Sequence, residues 1–405
     1  MKQINSKKLF LAACISLIVT AMTFAIRAGI LEQLGAQFGL TDTQLGFVNS
    51  MAFLGFPIAT VVGGLLYNSI GARKLMIIAF ISHILGLVLT IMAGGYWTLL
   101  ISTFFIGFAN GSVEAACNPM IADMYTRNRT AMLSRFHVWF PGGIVIGALV
   151  SKFMTDFGMI WQYQIGIMLI PTLIYGYMFF KETFPESEHI ETDTGLNIRS
   201  LASPLFIFII ACMTLTAISE FGPQQWVERI LGNSGASPML VLAMVTGIMA
   251  LGRYFGGFFV HKLNPVSVLL ASAIITTIAV YSMSIAEGGM IYAAAVLFAF
   301  GVCFFWPTMI GFTSEYTPKT GALGMSLVGG AGMLSTSIWQ PVIGSWLDSA
   351  RETAIASGIA EEAAELAAGK ATLGNMMYFP LTVAILFFIL FLFRKKLEEV
   401  RIKHD

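Results

Sequence analysis

Runs of about twenty consecutive apolar residues recur along almost the whole chain, and no other feature restricts its fold as strongly. One such run, wound as a helix at about 1.5 Å per residue, covers the roughly 30 Å of a bilayer's hydrocarbon core. Twelve can be placed, near 9–31, 43–66, 75–93, 96–121, 132–154, 160–180, 203–230, 238–260, 266–286, 288–312, 322–346 and 374–393. Of the 405 residues 57% are hydrophobic and 11% charged, against about 25% charged in soluble domains. The chain therefore reads as an all-α membrane protein. Its first run is too long for a signal-peptide core and lacks a small-residue cleavage site, so it is expected to stay as a helix.

The basic residues sort by side, as cytoplasmic loops accumulate Lys and Arg. Seventeen fall on one side, among them Lys7, Lys8, Arg73, Lys74, Arg127, Arg129, Arg135, Lys181, Lys262 and the tail beyond Arg394; Lys152, Arg229, Arg351 and Lys370 fall on the other. This places both termini in the cytoplasm of a multi-pass protein of the plasma membrane, in a bacterium the inner membrane. Arg27 and Arg253 lie within spans. A net charge of +1 offers nothing to nucleic acid. Cys14, Cys117, Cys212 and Cys303 stand singly in apolar runs, as packing residues do.

The polar stretch "KETFPESEHIETDTGLNIRS" divides six spans from six, giving an N-terminal bundle over 1–180, a cytoplasmic linker over 181–202 and a C-terminal bundle with a tail over 203–405. A repeat supports the division: "GGLLYNSIGARK" follows the second span and "GGFFVHKLNPVS" the eighth. Parallel repeats of this kind place a substrate site at mid-membrane. The later stretch "AEEAAELAAGKA", between Leu347 and Leu373, is expected to form a short solvated or interfacial helix.

In the fourth span Asn110, Glu114 and Asn118 are spaced by four and share one helix face, while Gly107 and Gly111 form a small-residue pair on a neighbouring face. An ionised acid at the bilayer centre costs about 2.5–3.5 kcal/mol on insertion scales, so such residues face a cavity and carry function. Burial makes protonation of Glu114 feasible near neutral pH. Two readings stay open: Glu114 couples a proton to transport, or it neutralises Arg27 in the first span.

The stretch Gly64, Leu66, Asn68, Gly71 and Arg73 resembles the signature loop of the major facilitator superfamily, Gly-x-Leu-x-Asp-x-x-Gly-x-basic, with Asn68 in place of the usual Asp. "VEAACNP" in the fourth span, "FPGG" in the fifth, "WPTMIGFT" in the tenth and "GALGMSLVGGAG" in the eleventh are similar to the fucose permease and glucose/galactose transporter family of that superfamily. The resemblance implies the major facilitator fold, twelve transmembrane helices in two pseudo-symmetric six-helix bundles. It also implies an ion-coupled sugar importer in which Glu114, with Asn118 beside it, serves proton coupling and sugar recognition. Where fucose permease has a first-span Asp this chain has Ala28, next to Arg27. A base there suits a sugar acid.

Further candidates complete the expected substrate site. His137 and Trp139 open the fifth span, and His137 stands near a family Gln that contacts sugar. Glu220, Gln224 and Gln225 surround Pro223 in the seventh span, where a Pro interrupts the helix ladder and allows a bend. Trp306, Trp339 and Gln340 offer the aromatic planes and amides that suit the C–H faces and hydroxyls of a sugar. Asn49 is a further polar position. Gly64, Asn68, Gly71 and Arg73 are assigned to the cytoplasmic gate, and Arg253 is expected to snorkel towards it. Neither a nucleotide loop nor a His-Glu-x-x-His helix nor a nucleophile elbow is present, which argues against an enzyme. The expected protein is a monomeric proton-coupled importer of a monosaccharide, with sugar acids as the alternative cargo. Its partners are that small molecule and membrane lipids; it takes no metal or other cofactor, the transmembrane proton gradient being its energy source. Drug efflux and a non-transporting sensor rank below both.

Overall fold

The computed structural model describes residues 4–125, 129–185, 199–260, 264–395 and 397. Arg127, Lys262, linker residues 186–198, the tail beyond 397 and the side chain of Asn68 lie outside the described residues. The chain divides into two compact units, residues 1–190 and 191–405. All regular structure among the described residues is helical.

In the first unit α1 (Ser6–Phe38) starts where the Asn5 side chain accepts a hydrogen bond from the Lys8 amide. A reciprocal Thr41–Gln44 cap opens the next helix. Such caps satisfy amides that the first turn leaves without partners. That run, Asp42–Ile91, breaks into α2 (Asp42–Tyr67) and α3 (Ser69–Ile91) around Gly71, whose φ of +76° only a glycine adopts without strain. Then come α4 (Tyr96–Met124), α5 (Arg129–His137), α6 (Trp139–Asp156), α7 (Trp161–Gly166) and α8 (Leu169–Lys181). The small-residue pair of α4 does what its spacing suggests. A Cβ on Gly107 would stand 2.1 Å from the Ala52 carbonyl oxygen, and one on Gly111 2.2 Å from that of Phe56. Backbone therefore meets backbone along the α2–α4 seam.

The second unit holds α9 (Pro204–Gln225), α10 (Val227–Leu231), α11 (Pro238–Val260), α12 (Pro265–Ile285), α13 (Gly289–Val302), α14 (Phe305–Tyr316), α15 (Gly321–Ala356), α16 (Glu361–Met376) and α17 (Tyr378–Leu392). Ser203 and Asn264 cap α9 and α12, each with Pro at the first helical position. The seventh span breaks at Trp226, three residues after Pro223. A shift of 193 residues, the one that lays Gly63 on Gly256, carries the end of α1 at Phe38 onto Leu231, the end of α10, and the start of α4 at Tyr96 onto Gly289, the start of α13. The internal repeat is thus a repeat of helices in register.

Among the described residues eleven helices are long and apolar enough to cross a membrane; the expected eleventh span falls on α15, a helix of 36 residues. One expectation needs correction. The stretch expected as a separate interfacial helix instead forms α16, which leads into α17 through Met377 alone. Ala364, Ala368, Gly369 and Thr372 are buried, and a Cβ on Gly369 would lie 2.3 Å from the Ile230 carbonyl oxygen. Alanine-rich sequence there allows close packing against α10, which composition alone reads as solvation.

Candidate functional site

In the N-terminal unit the candidate residues fall into three groups. Asn118 lies one turn after Glu114 on α4, its amide beside the Glu114 carboxyl. Its Oδ1 lies 3.0 Å from His137 Nε2 at the end of α5. Because Oδ1 only accepts, the imidazole donates from Nε2. Glu114 is half-buried and His137 exposed, so the three groups run from the interior of the unit to its surface. Asn118 holds acid and imidazole in register.

Arg27 is placed elsewhere. Its Nε donates to Asn49 Oδ1 at 2.9 Å, and its guanidinium lies 5.2 Å from the Phe24 ring centre and 5.5 Å from that of Phe53. Both rings present a negative face to the cation. The anticipated Arg27–Glu114 pair is replaced by two separate polar pairs on different helices. Asn49 is fully buried, and its Nδ2 has no hydrogen-bond partner among the described residues.

Asn110 makes a separate network with His83 and Thr23. It is fully buried, its Oδ1 accepting from His83 Nε2 at 2.8 Å and its Nδ2 donating to Thr23 Oγ1 at 2.9 Å. The other ring nitrogen of His83 meets the Tyr175 hydroxyl at 2.8 Å. With Nε2 donating, Nδ1 accepts from Tyr175, and a neutral imidazole satisfies every member. The amide is spent tying α1, α3, α4 and α8 together. Sequence reasoning missed His83 and Tyr175, which stand three spans apart; the signal available was a lone His inside an apolar run.

The C-terminal unit holds a buried ion pair. Glu220 Oε1 lies 3.3 Å from Arg253 Nη2, and Arg253 Nε donates to the Cys303 carbonyl at 3.0 Å, at the break between α13 and α14. Glu220 is 3% exposed and its Oε2 has no partner among the described residues. A carboxylate and a carbonyl released by the helix break thus hold the half-buried Arg253 guanidinium. Trp226 Nε1 donates to Gln340 Oε1 at 2.8 Å, leaving Gln340 Nε2 without a partner among the described residues. Gln224 is buried with its Nε2 3.8 Å from Met249 Sδ, and Gln225 is buried beside it. Trp306 packs edge-on to Phe221, ring centres 6.2 Å apart, and lies against Gly332 of α15. Trp339 is separated from this group, packing edge-on to Phe379 with ring centres 4.7 Å apart and tilted against Trp346 at 6.0 Å. Trp139 is 42% exposed.

At the gate stretch Gly64 and Arg73 are exposed and Gly71 makes the turn. Beside them Tyr67 donates its hydroxyl to Asp123 Oδ2 at 3.0 Å. A carboxylate is thus present next to the stretch, from α4 rather than from position 68. No group of three or more potential metal ligands occurs among the described residues.

A family model described as Major Facilitator Superfamily matches residues 10–219. The chain is 22% identical over 271 residues to the sialic acid transporter NanX of Escherichia coli, covering 64% of this chain and 65% of that protein. It is 22% identical over 181 residues to myo-inositol transporter 1 of Candida albicans, 43% of this chain and 33% of that protein. The chain thus spans from about a third to two thirds of the length of these relatives. Its fold is similar to that of a D-xylose–proton symporter, with a TM-score of 0.74 at 16% identity over 91% of this chain and 96% of that one. The fucose–proton symporter FucP of E. coli gives 0.58 at 16% identity over 92% and 98%. At such identities the likeness is one of fold.

Proposed function

The chain belongs to the major facilitator superfamily, a class of multi-pass membrane transporters and not enzymes, and from that premise we propose that it imports a monosaccharide or related sugar by proton symport. The observation that carries this reading is the Glu114–Asn118–His137 line. It sets beside a carboxyl inside the fourth span an amide and, hydrogen-bonded to that amide, an exposed imidazole. Glu114 takes the proton, His137 stands where protons exchange with water, and Asn118 keeps the two aligned. Binding of sugar and proton together, followed by release of both to the cytoplasm, completes an alternating-access cycle powered by the proton gradient.

The substrate contacts of this reading are the buried amides and aromatic planes of the C-terminal unit. Glu220 Oε2 and Gln340 Nε2 hold unused hydrogen-bonding capacity, which is costly unless a ligand or water takes it up. Trp306 supplies an apolar plane. The resemblance to fucose permease in "VEAACNP", the xylose and fucose symporters among the similar folds and the inositol transporter among the relatives all support a polyhydroxylated cargo. The test is uptake in proteoliposomes with and without a proton gradient. Glu114→Gln is expected to abolish gradient-driven accumulation while retaining exchange, and unaltered accumulation by that variant would remove Glu114 from the mechanism.

A second reading, transport of sugar acids, is favoured by one pair of residues. The Arg27 guanidinium sits beside an Asn49 amide whose Nδ2 still has a donor to offer, a donor set that suits a carboxylate. The sialic acid transporter among the relatives points the same way.

A further inference from the structure

The shift of 193 residues that superimposes the helices of the two halves carries Arg27 onto Glu220. The same position in the first helix of each half thus holds opposite charges. One Glu220 carboxylate oxygen lies 3.3 Å from Arg253, the other is buried without a partner among the described residues, and Arg253 is itself anchored through Nε to the Cys303 carbonyl. The guanidinium thus reaches from α11 to α9 and to the joint between α13 and α14. A carboxylate gripped by one oxygen only is fixed in direction. Its other oxygen accepts hydrogen bonds and cannot donate.

We propose that Arg253 is a positioning and specificity-determining residue that aims Glu220 Oε2 as a dedicated acceptor for a substrate hydroxyl, selecting neutral polyols over their carboxylate forms. The proposal rests on the sugar-transport reading and deepens it by choosing between its two cargo classes. A neutral sugar brings hydroxyl donors that an ionised acceptor bonds strongly, at about 1.5–3 kcal/mol each. A uronate brings a second negative charge into the same buried surroundings, where like charges are strongly disfavoured. Arg253 offsets that repulsion only in part, because its charge already serves Glu220 and two of its five N–H donors are engaged by Glu220 and the Cys303 carbonyl.

The alternative is that the pair only fastens helices. Removing one partner of a buried pair leaves a lone charge and destabilises the protein, whereas replacing both partners does not. The experiment is counterflow exchange in proteoliposomes without a proton gradient, which reads recognition separately from coupling. Glucose, galactose and fucose are compared with glucuronate and galacturonate. Wild type is expected to favour the neutral sugars by roughly ten- to a hundredfold, the worth of one hydrogen bond to a charged group. In Glu220→Gln the KM for neutral sugars rises by roughly tenfold or more and the preference moves towards uronates. Arg253→Lys, which keeps the charge and loses the Cys303 contact, retains the preference with a raised KM. The double variant Glu220→Gln/Arg253→Gln carries no lone charge and folds, as checked by size-exclusion and melting temperature, yet exchanges neutral sugars poorly. Recovery of wild-type exchange in the double variant would reduce the pair to a fastener. An unchanged preference in Glu220→Gln, or a wild type that prefers uronates, would also overturn the proposal. Net accumulation that is independent of an imposed pH gradient strikes at the symport reading alone, while a wild type that neither binds nor exchanges any of the five compounds ends both.

Discussion

The side chains that look most alike in the sequence serve different ends in the fold. Asn110 and Asn118 lie on one face of α4, two turns apart, yet the first is sealed among His83, Thr23 and Tyr175 and the second meets Glu114 and an exposed His137. Depth along the helix separates them, because neighbouring helices cover one turn and not the other. The buried group gives a stability prediction. His83→Ala strands the Asn110 carbonyl and the Tyr175 hydroxyl, at about 1–3 kcal/mol for each buried group left unmatched. A lower melting temperature in detergent is expected, with exchange activity per folded molecule retained; unchanged melting would show that the network contributes nothing. Disrupting the Glu114 line is expected to do the reverse. His137→Ala should leave the melting temperature intact and slow gradient-driven uptake, since His137 is exposed and its removal opens no cavity.

Helix contacts in this protein depend on where backbones can approach. The α2–α4 seam is closed by Gly107 and Gly111, against Ala52 and Phe56. In lipid the hydrophobic effect does not drive helices together, so close van der Waals contact carries the association. Gly107→Leu is therefore expected to abolish recovery of folded protein, whereas Gly64→Leu, whose added Cβ meets nothing within 4 Å, leaves expression and the size-exclusion profile unchanged. The spacing of Gly107 and Gly111 made a close approach legible in advance. The role of α16 was not legible, because alanine and glutamate at helical spacing describe a solvated helix and a tightly packed one equally well. Only the partner, α10 with its Ile230 carbonyl against Gly369 and Arg229 3.7 Å from Glu365, distinguishes the two.

Across the molecule, the proposed orientation rests on the uneven division of bases between the two sides. All four bases assigned to the outer side are paired with carboxylates: Lys152 with Asp156, Arg229 and Arg351 with Glu365, and Lys370 with Glu287. The four native cysteines are buried, so a Lys152→Cys variant should be labelled by an impermeant maleimide from outside intact cells with little background, and a fluorescent protein fused to the C-terminus should fluoresce. Labelling only after the cells are opened would invert the topology. The number and approximate limits of the apolar runs, the internal repeat and the presence of acid, amide and base inside spans follow from the sequence alone, because a bilayer sets the length of a span and the cost of each charge in it. Which of those charges meet was decided by the tertiary structure. Arg27 and Glu114 looked like partners because each is a lone charge in its span, but Asn49 with two aromatic rings satisfies one and Asn118 the other. Glu220 and Arg253 gave no sign of pairing along the chain, yet α9 and α11 bring them to 3.3 Å. A buried charge must be matched within a few ångströms, and helix packing, not sequence separation, determines what lies within that reach.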